Sequence, residues 1–203
     1  MASLIPELKS YLKRRCITEG FEKKVGQWFY REGVSNDFQD LLTFSFATYH
    51  GGRSVRPFIG IHHLPIEQLF QELTGNKLST PYWLLSLNIG HIDPSGHFKD
   101  WYFKESSTIP GICDEMFFEI QQYGYPFYKE YEDIARLIDM YEHKRMVGLD
   151  NGLRFINLPL LYLYSGQQRK GVVFMDAIQR SGYRLDGFKQ SFYSNYCHYE
   201  YGR

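Results

Sequence analysis

The stretch Leu41–Ile61 reads LLTFSFATYHGGRSVRPFIGI. Two β-rich runs, Leu41–Tyr49 and Val55–Ile61, flank Gly51-Gly52, a pair able to take positive φ at both central positions of a tight hairpin turn. Folding the runs there sets Thr48 against Val55, Phe46 against Pro57, Phe44 against Ile59 and Leu42 against Ile61. That face is almost wholly apolar. The other face pairs Tyr49 with Ser54, Ala47 with Arg56, Ser45 with Phe58 and Thr43 with Gly60. A slip of one residue would destroy the sorting, so the pattern specifies its register. Pro57 cannot donate a ladder hydrogen bond, which predicts an edge strand or a bulge there.

The same reasoning extends downstream. Tyr82–Gly90 and Phe98–Glu105 flank His91-Ile92-Asp93-Pro94-Ser95-Gly96-His97. A second hairpin would set Trp83 against Glu105, Leu85 against Phe103, Leu87 against Trp101 and Ile89 against Lys99. Asp93-Pro94-Ser95-Gly96 is a turn by composition. The two histidines and the aspartate invite a metal reading, but a third ligand would have to come from elsewhere, and no other histidine supplies zinc-type spacing. The heptapeptide therefore reads as a polar loop. His62 and His63 point to opposite faces if the strand reaches them. His50, at the hairpin tip, would lie about 30 Å from His62 at the usual strand rise.

Upstream, residues 6–17 fit a helix with Leu8, Leu12 and Cys16 on one stripe and Pro6 in its first turn. Val25–Arg31 is a short aromatic strand. Pro65–Leu73 is a helix ending near Gly75. From residue 108 the period becomes helical. Ile112, Met116 and Ile120 form a stripe beside Cys113 and Phe117, and Gly124 with Pro126 breaks that helix. Residues 130–142 carry Ile134, Leu137, Ile138 and Tyr141 on one face. Residues 157–165 and 168–180 form a helical hairpin turning at Gly166. The tail spaces Leu185, Phe188, Phe192, Tyr196 and Tyr199 as a further amphipathic helix. The order is α+β: an antiparallel sheet of two hairpins plus an aromatic strand, packed by helices, with a helical C-terminal part. The expectation is one domain over 1–203, sheet-rich over 1–107 and helical over 108–203.

Composition narrows the function. With 23 basic and 23 acidic residues the chain is neutral, which argues against general nucleic-acid binding. Residues 114–142 hold eight acidic and two basic groups, net −6, the sharpest charge feature. Glu115, Glu119, Glu130, Glu132 and Asp133 are the candidate partner-binding residues, facing outward while Ile112, Met116, Ile120, Ile134 and Ile138 hold the helices to the sheet. Three well-separated cysteines, Cys16, Cys113 and Cys197, suit free thiols in a reducing compartment. The N-terminal residues lack the apolar core of a signal peptide, and no apolar run reaches membrane-spanning length. A cytoplasmic protein is the expectation. No P-loop, nucleophile-elbow, dinucleotide or zinc-protease pattern is present. No catalytic residue, metal or cofactor is assigned.

A helix leads into Gly20-Phe21-Glu22-Lys23-Lys24, then an aromatic strand ends Trp28-Phe29-Tyr30-Arg31, then a strand hairpin follows; Pro126-Phe127 and an acidic helix come later. This resembles a family of small bacterial α+β proteins of unknown function, some of them immunity-type proteins encoded beside toxins. The resemblance spans residues 1–60 closely and 80–142 loosely. It implies no catalytic residues. It implies a non-catalytic protein-binding protein that neutralises a cognate, basic toxin by occlusion. The alternatives are a small enzyme with a His/Arg site on the exposed sheet face, and an interaction protein of a mobile element.

Overall fold

The computed structural model describes residues 4–49, 51–80, 82–143 and 151–199, with side chains outside 23–25 and 151. The chain forms two compact units interleaved along the sequence: Met1–His62 with Leu85–Glu130, and His63–Leu84 with Tyr131–Arg203. The first holds the sheet; the second is helical. The α+β class and the helical C-terminal part are as the residue pattern predicts.

In the first unit, helix α1 (Leu4–Thr18) precedes strands β1 (Glu22–Val25), β2 (Trp28–Glu32), β3 (Phe38–Tyr49) and β4 (Gly52–His63). Strands β5 (Leu85–Asn88) and β6 (Trp101–Phe103) complete a six-stranded sheet ordered β1-β2-β3-β4-β5, with β6 also on β4. Val55, Ile59 and Ile61 have no exposed surface and Phe44 and Leu42 almost none, as the alternation requires. The turn differs from expectation in one respect. Gly51 has φ +78°, but Gly52 lies in β4 without positive φ. Glycine is needed there for space: a Cβ on Gly52 would sit 2.5 Å from the Tyr102 ring. His50 lies outside the described residues.

The second hairpin is not formed. β5 and β6 do not pair with each other; both pair antiparallel with β4. Phe58 faces Asn88 and Val55 faces Trp101. Three steps along β4 are thus matched by thirteen along the other chain, so ten residues are extruded from a single interrupted strand. The predicted hairpin tip HIDPSGH is part of this excursion. The apolar sorting holds nevertheless: Leu85, Leu87, Trp101 and Phe103 are all buried. A period of two reports which face a side chain takes, not which strand it pairs with.

The neck of the excursion is closed by one side chain. Asn88 Nδ2 donates to Lys99 O (2.9 Å) and Pro57 O (3.2 Å), while its Oδ1 accepts from Gly90 N (3.0 Å) and Lys99 N (2.8 Å). A side-chain amide has two donors and two acceptor lone pairs, so this one is fully used. Pro57 lies opposite the gap, where its missing N–H costs nothing because no residue of β5 or β6 faces it. At Gly90 the two arms of the neck touch; a Cβ would lie 2.1 Å from His97 O.

Helix α3 (Ile109–Glu119) covers the inner sheet face, with Met116 and Phe117 buried and the Phe117 ring 6.2 Å from that of Phe44. Gly124 and Pro126 do not break the helix there. A π turn (Ile120–Gly124) carries it into α4 (Tyr125–Tyr131), with Tyr125 N–H bonded to Ile120 O. The wider turn takes up the hydrogen bond and space that proline denies an α-helix.

The second unit is built around α6 (Asn151–Tyr164), buried on all sides from Arg154 to Leu163. Around it stand α2 (Leu64–Thr74), α5 (Ile134–His143), α7 (Gln168–Arg180) and α8 (Gly187–His198). Several of the unit's buried polar groups satisfy one another. Asn157 Nδ2 donates to Leu84 O (2.9 Å) and Tyr141 Oη (2.7 Å), and Tyr82 Oη donates to Asn157 Oδ1. Arg154 donates to the Tyr141 and Glu142 carbonyls near the C-terminal end of α5, where a positive charge is favourable.

Replacing Asn88 tests the neck. Asn88→Ala leaves four backbone groups without their partner and is expected to destabilise the protein by about 3 kcal/mol. Asn88→Asp should be destabilising too, because it points a carboxylate oxygen at two carbonyls. Urea denaturation of the three proteins measures both effects; an unchanged midpoint for the alanine variant would refute the clamp.

Candidate functional site

Even-numbered residues of β4 point away from α3. Arg56 and Phe58 stand on this outer face, with Tyr49 of β3 and Tyr102 of β6 beside them. The excursion then returns across the same face. It lays Phe98 against Phe58, centroids 6.4 Å apart, and 5.5 Å from the Arg56 guanidinium. Arg56 Nη2 donates to Tyr49 Oη (2.9 Å), and the Tyr49 ring lies 6.0 Å from the guanidinium. His91 packs edge-on against Phe98 at 6.0 Å. Lys104 lies 5.7 Å over Tyr102.

This cluster is exposed. Tyr49 retains 48% of its surface, Phe98 50% and Tyr102 38%. Aromatic rings around an arginine are the composition that dominates binding energy at protein interfaces. Arg56 Nε is buried and makes no hydrogen bond, with Asp100 Oδ2 3.8 Å away as an ion-pair partner. The rings hold the guanidinium in place before any partner arrives, which lowers the entropy lost on binding.

The excursion that presents Phe98 is tied down by charge. Asp93 accepts from Ser95 N (2.6 Å) and from the Ser95 hydroxyl, and pairs with Lys99 Nζ at 3.5 Å. Lys99 also pairs with Glu119 of α3. Burial works against the Asp93 carboxylate, but the Ser95 bonds and the Lys99 charge outweigh it and hold its pKa below the usual range. Asp93 is thus occupied in shaping the loop. His91 is stacked and His97 exposed. Among the described residues no group of three His, Cys, Asp or Glu is placed to hold a metal ion.

The five candidate acidic residues divide between the two units. Glu115 and Glu130 are exposed in the first unit and Asp133 in the second, where its carboxylate caps Arg136 N at 3.0 Å. Two of the five do not point outward. Glu119 is half-buried against Lys99, and Glu132 is buried. Of the five isoleucine and methionine anchors, Met116 and Ile120 are fully buried, while Ile112, Ile134 and Ile138 are partly exposed. Glu115 lies on α3, which covers the inner sheet face, so the acidic helix and the aromatic cluster are on opposite sides of the sheet.

Other reactive groups are committed elsewhere. Burial pushes the Cys16 thiol far up and that of Cys113 up to about 12; Cys197 is raised by burial as well. None is poised as a thiolate nucleophile. Arg31 and Asp40 form a cross-strand pair, with Nε to Oδ2 at 2.9 Å, and the guanidinium is ringed by Phe21, Tyr125 and Tyr128. Burial disfavours the Arg31 charge and Asp40 more than restores it, so the pair locks α4 to β2 and β3.

The first hairpin's pattern already placed Tyr49, Arg56 and Phe58 on one face. It held no signal that Phe98 and Tyr102 would join them, because that follows from pairing with β4. No family model, curated protein or solved structure matches the chain. Among the described residues no helix is long and apolar enough to cross a membrane.

The Asp93 anchor has a pH signature. A carboxylate whose folded pKa lies below its unfolded value adds stability above the unfolded value and loses it as pH falls through the folded one. Wild type should therefore melt about 2–4 °C above Asp93→Asn at pH 7, and the gap should close on acidification below the ordinary carboxylate range. Calorimetric scans from neutral to acid pH check this; a gap that persists at the lowest pH would place the contribution outside the carboxylate's charge.

Proposed function

We propose that the protein is a non-catalytic binding protein whose contact surface is the outer sheet face built from Tyr49, Arg56, Phe58, Phe98 and Tyr102. One observation carries this reading: Tyr49, Phe98 and Tyr102 stay exposed on the sheet face where Arg56 is held in position by Tyr49 and Phe98. The partner is a protein that covers the rings and brings a carboxylate or carbonyl to Arg56. Burial of the rings would slow release, since aromatic anchors at the centre of an interface dominate its energy.

In the immunity-type form of this reading, the partner is a toxin and binding occludes its catalytic surface. The exposed carboxylates Glu115, Glu130 and Asp133 would then add long-range attraction for a basic toxin without touching it. Rim and remote charges act mainly on the association rate and its salt dependence. Support for the toxin is the sequence resemblance alone.

The test uses the full chain. Wild type immobilised in extract of its native host should retain a protein that the Phe98→Ala/Tyr102→Ala double variant does not. With the partner purified, the double variant should bind at least roughly 30-fold more weakly, as for loss of a hot spot worth about 2 kcal/mol. Its melting temperature should stay near that of wild type, because both rings are exposed. Equal retention by the two proteins would overturn the assignment of this face.

A further inference from the structure

A separate groove lies on the far side of the first unit, between α1 and the end of β3. Its cavity measures about 450 Å3. The floor is apolar: Leu12, Phe29 and Phe44 are buried beneath it, and Phe46 forms a wall. Lys9 and Lys13 stand over it one helical turn apart. Sites for small ligands are concave, mostly apolar, and carry a few placed polar groups; their volumes run from about 300 to 1,000 Å3.

The two lysines are not compensated. No carboxylate among the described residues pairs with Lys9 or Lys13. Like charges one turn apart repel, a small cost with no structural return in this protein. Lys9, though exposed, is also held over the groove. Its ammonium lies 5.4 Å from the Phe46 ring and, with the Gln27 amide turned to the orientation that satisfies both its neighbours, 3.1 Å from that amide's oxygen. Gln27 in turn is fixed by donating its amide nitrogen to Phe44 O at 2.7 Å. A cation positioned by a ring and an amide, above an aromatic floor and beside a second lysine, suits an anion with an apolar body.

We propose that this groove binds a small amphipathic anion, an aryl or alkyl carboxylate whose apolar body lies on Phe29, Phe44 and Phe46 and whose carboxylate meets Lys9 and Lys13. Two uncompensated ammonium groups select for negative charge, and the phenyl floor selects for an apolar body. The site is distinct from the outer-face cluster and does not depend on the binding-protein reading.

The experiment is calorimetric titration of the intact protein with 1-naphthoate and with decanoate, and with 1-naphthalenemethanol as the neutral counterpart. At least one acid should bind saturably with a dissociation constant below about 1 mM. The neutral alcohol should bind at least roughly tenfold more weakly than naphthoate. The Lys9→Gln/Lys13→Gln variant should lose roughly tenfold in acid affinity, and the loss should shrink at high salt. Phe46→Ala should weaken acid and alcohol alike, which separates floor from charge. Both lysines are exposed, so the double variant is expected to melt as wild type does. Absence of saturable binding by both acids, equal binding of the neutral alcohol, or affinity unmoved by the lysine changes would each overturn the proposal. So would tight binding of an extended acidic peptide at this groove where both small acids fail.

Discussion

The amide of Asn88 holds the sheet and the outer-face cluster together. Without it, β5 and β6 would be two short segments of four and three residues laid end to end on β4. Segments so short have little pairing energy of their own, and the twelve residues between them carry an entropic cost of closure. Asn88 closes that excursion from inside the ladder, using both donors and both acceptors of one buried side chain. Pro57 and Gly90 fit the same neck for complementary reasons. Proline removes a donor that would have no strand partner, and glycine lets the two arms approach within contact distance.

From that neck the two faces of the sheet diverge in purpose. The inner face, with Phe29, Phe44, Val55, Ile59 and Leu87, is packed by α1 and α3, which leave it open at the groove beside Phe46. On the outer face, the half of β4 near the first turn stays open. The excursion delivers Phe98 there, and the salt bridges of Lys99 to Asp93 and Glu119 fix the angle at which it arrives. The same loop therefore serves the core through its neck and the exposed cluster through its tip. A change at the neck would move Phe98 without touching it.

How far the residues alone reveal this depends on what each pattern encodes. The alternation in Leu41–Ile61 encodes a face, and the faces of Val55, Ile59 and Ile61 are as it requires. The alternation in Leu85–Leu87 and Trp101–Phe103 encodes faces too, but not partners. A turn-like heptapeptide between two such runs looks the same whether they pair with each other or both pair with a third strand. What distinguishes the cases here is long-range: β4 extends over twelve residues, long enough to accommodate both. Helix positions were legible where a stripe and a cap coincide, as at α2 with Gly75. Pro126 reads as a stop, but a π turn absorbs it, and nothing local announces a π turn. Asn88 gave no signal, since a lone asparagine in a strand has no pattern to betray four hydrogen bonds.

The acidic block shows why charge counted along a chain is a weak guide to its surface. Residues 114–142 carry net −6, yet much of that charge is answered by groups outside the block or set to local work. Asp114 lies 3.3 Å from Arg15 of α1, and Glu119 pairs with Lys99 of the excursion. Asp133 caps the start of α5, Asp139 pairs with His143, and Glu142 accepts from Tyr162. Compensated pairs within a few ångströms leave little field at a distance, because opposite charges cancel beyond their own separation and salt screens the remainder. The exposed face with Arg56 needs no such long-range field. Its rings and its guanidinium act only at contact, where desolvation strengthens every polar interaction they make. The proposed recognition therefore has a firmer physical basis in the small aromatic face assembled by β3, β4 and the excursion than in the larger acidic segment.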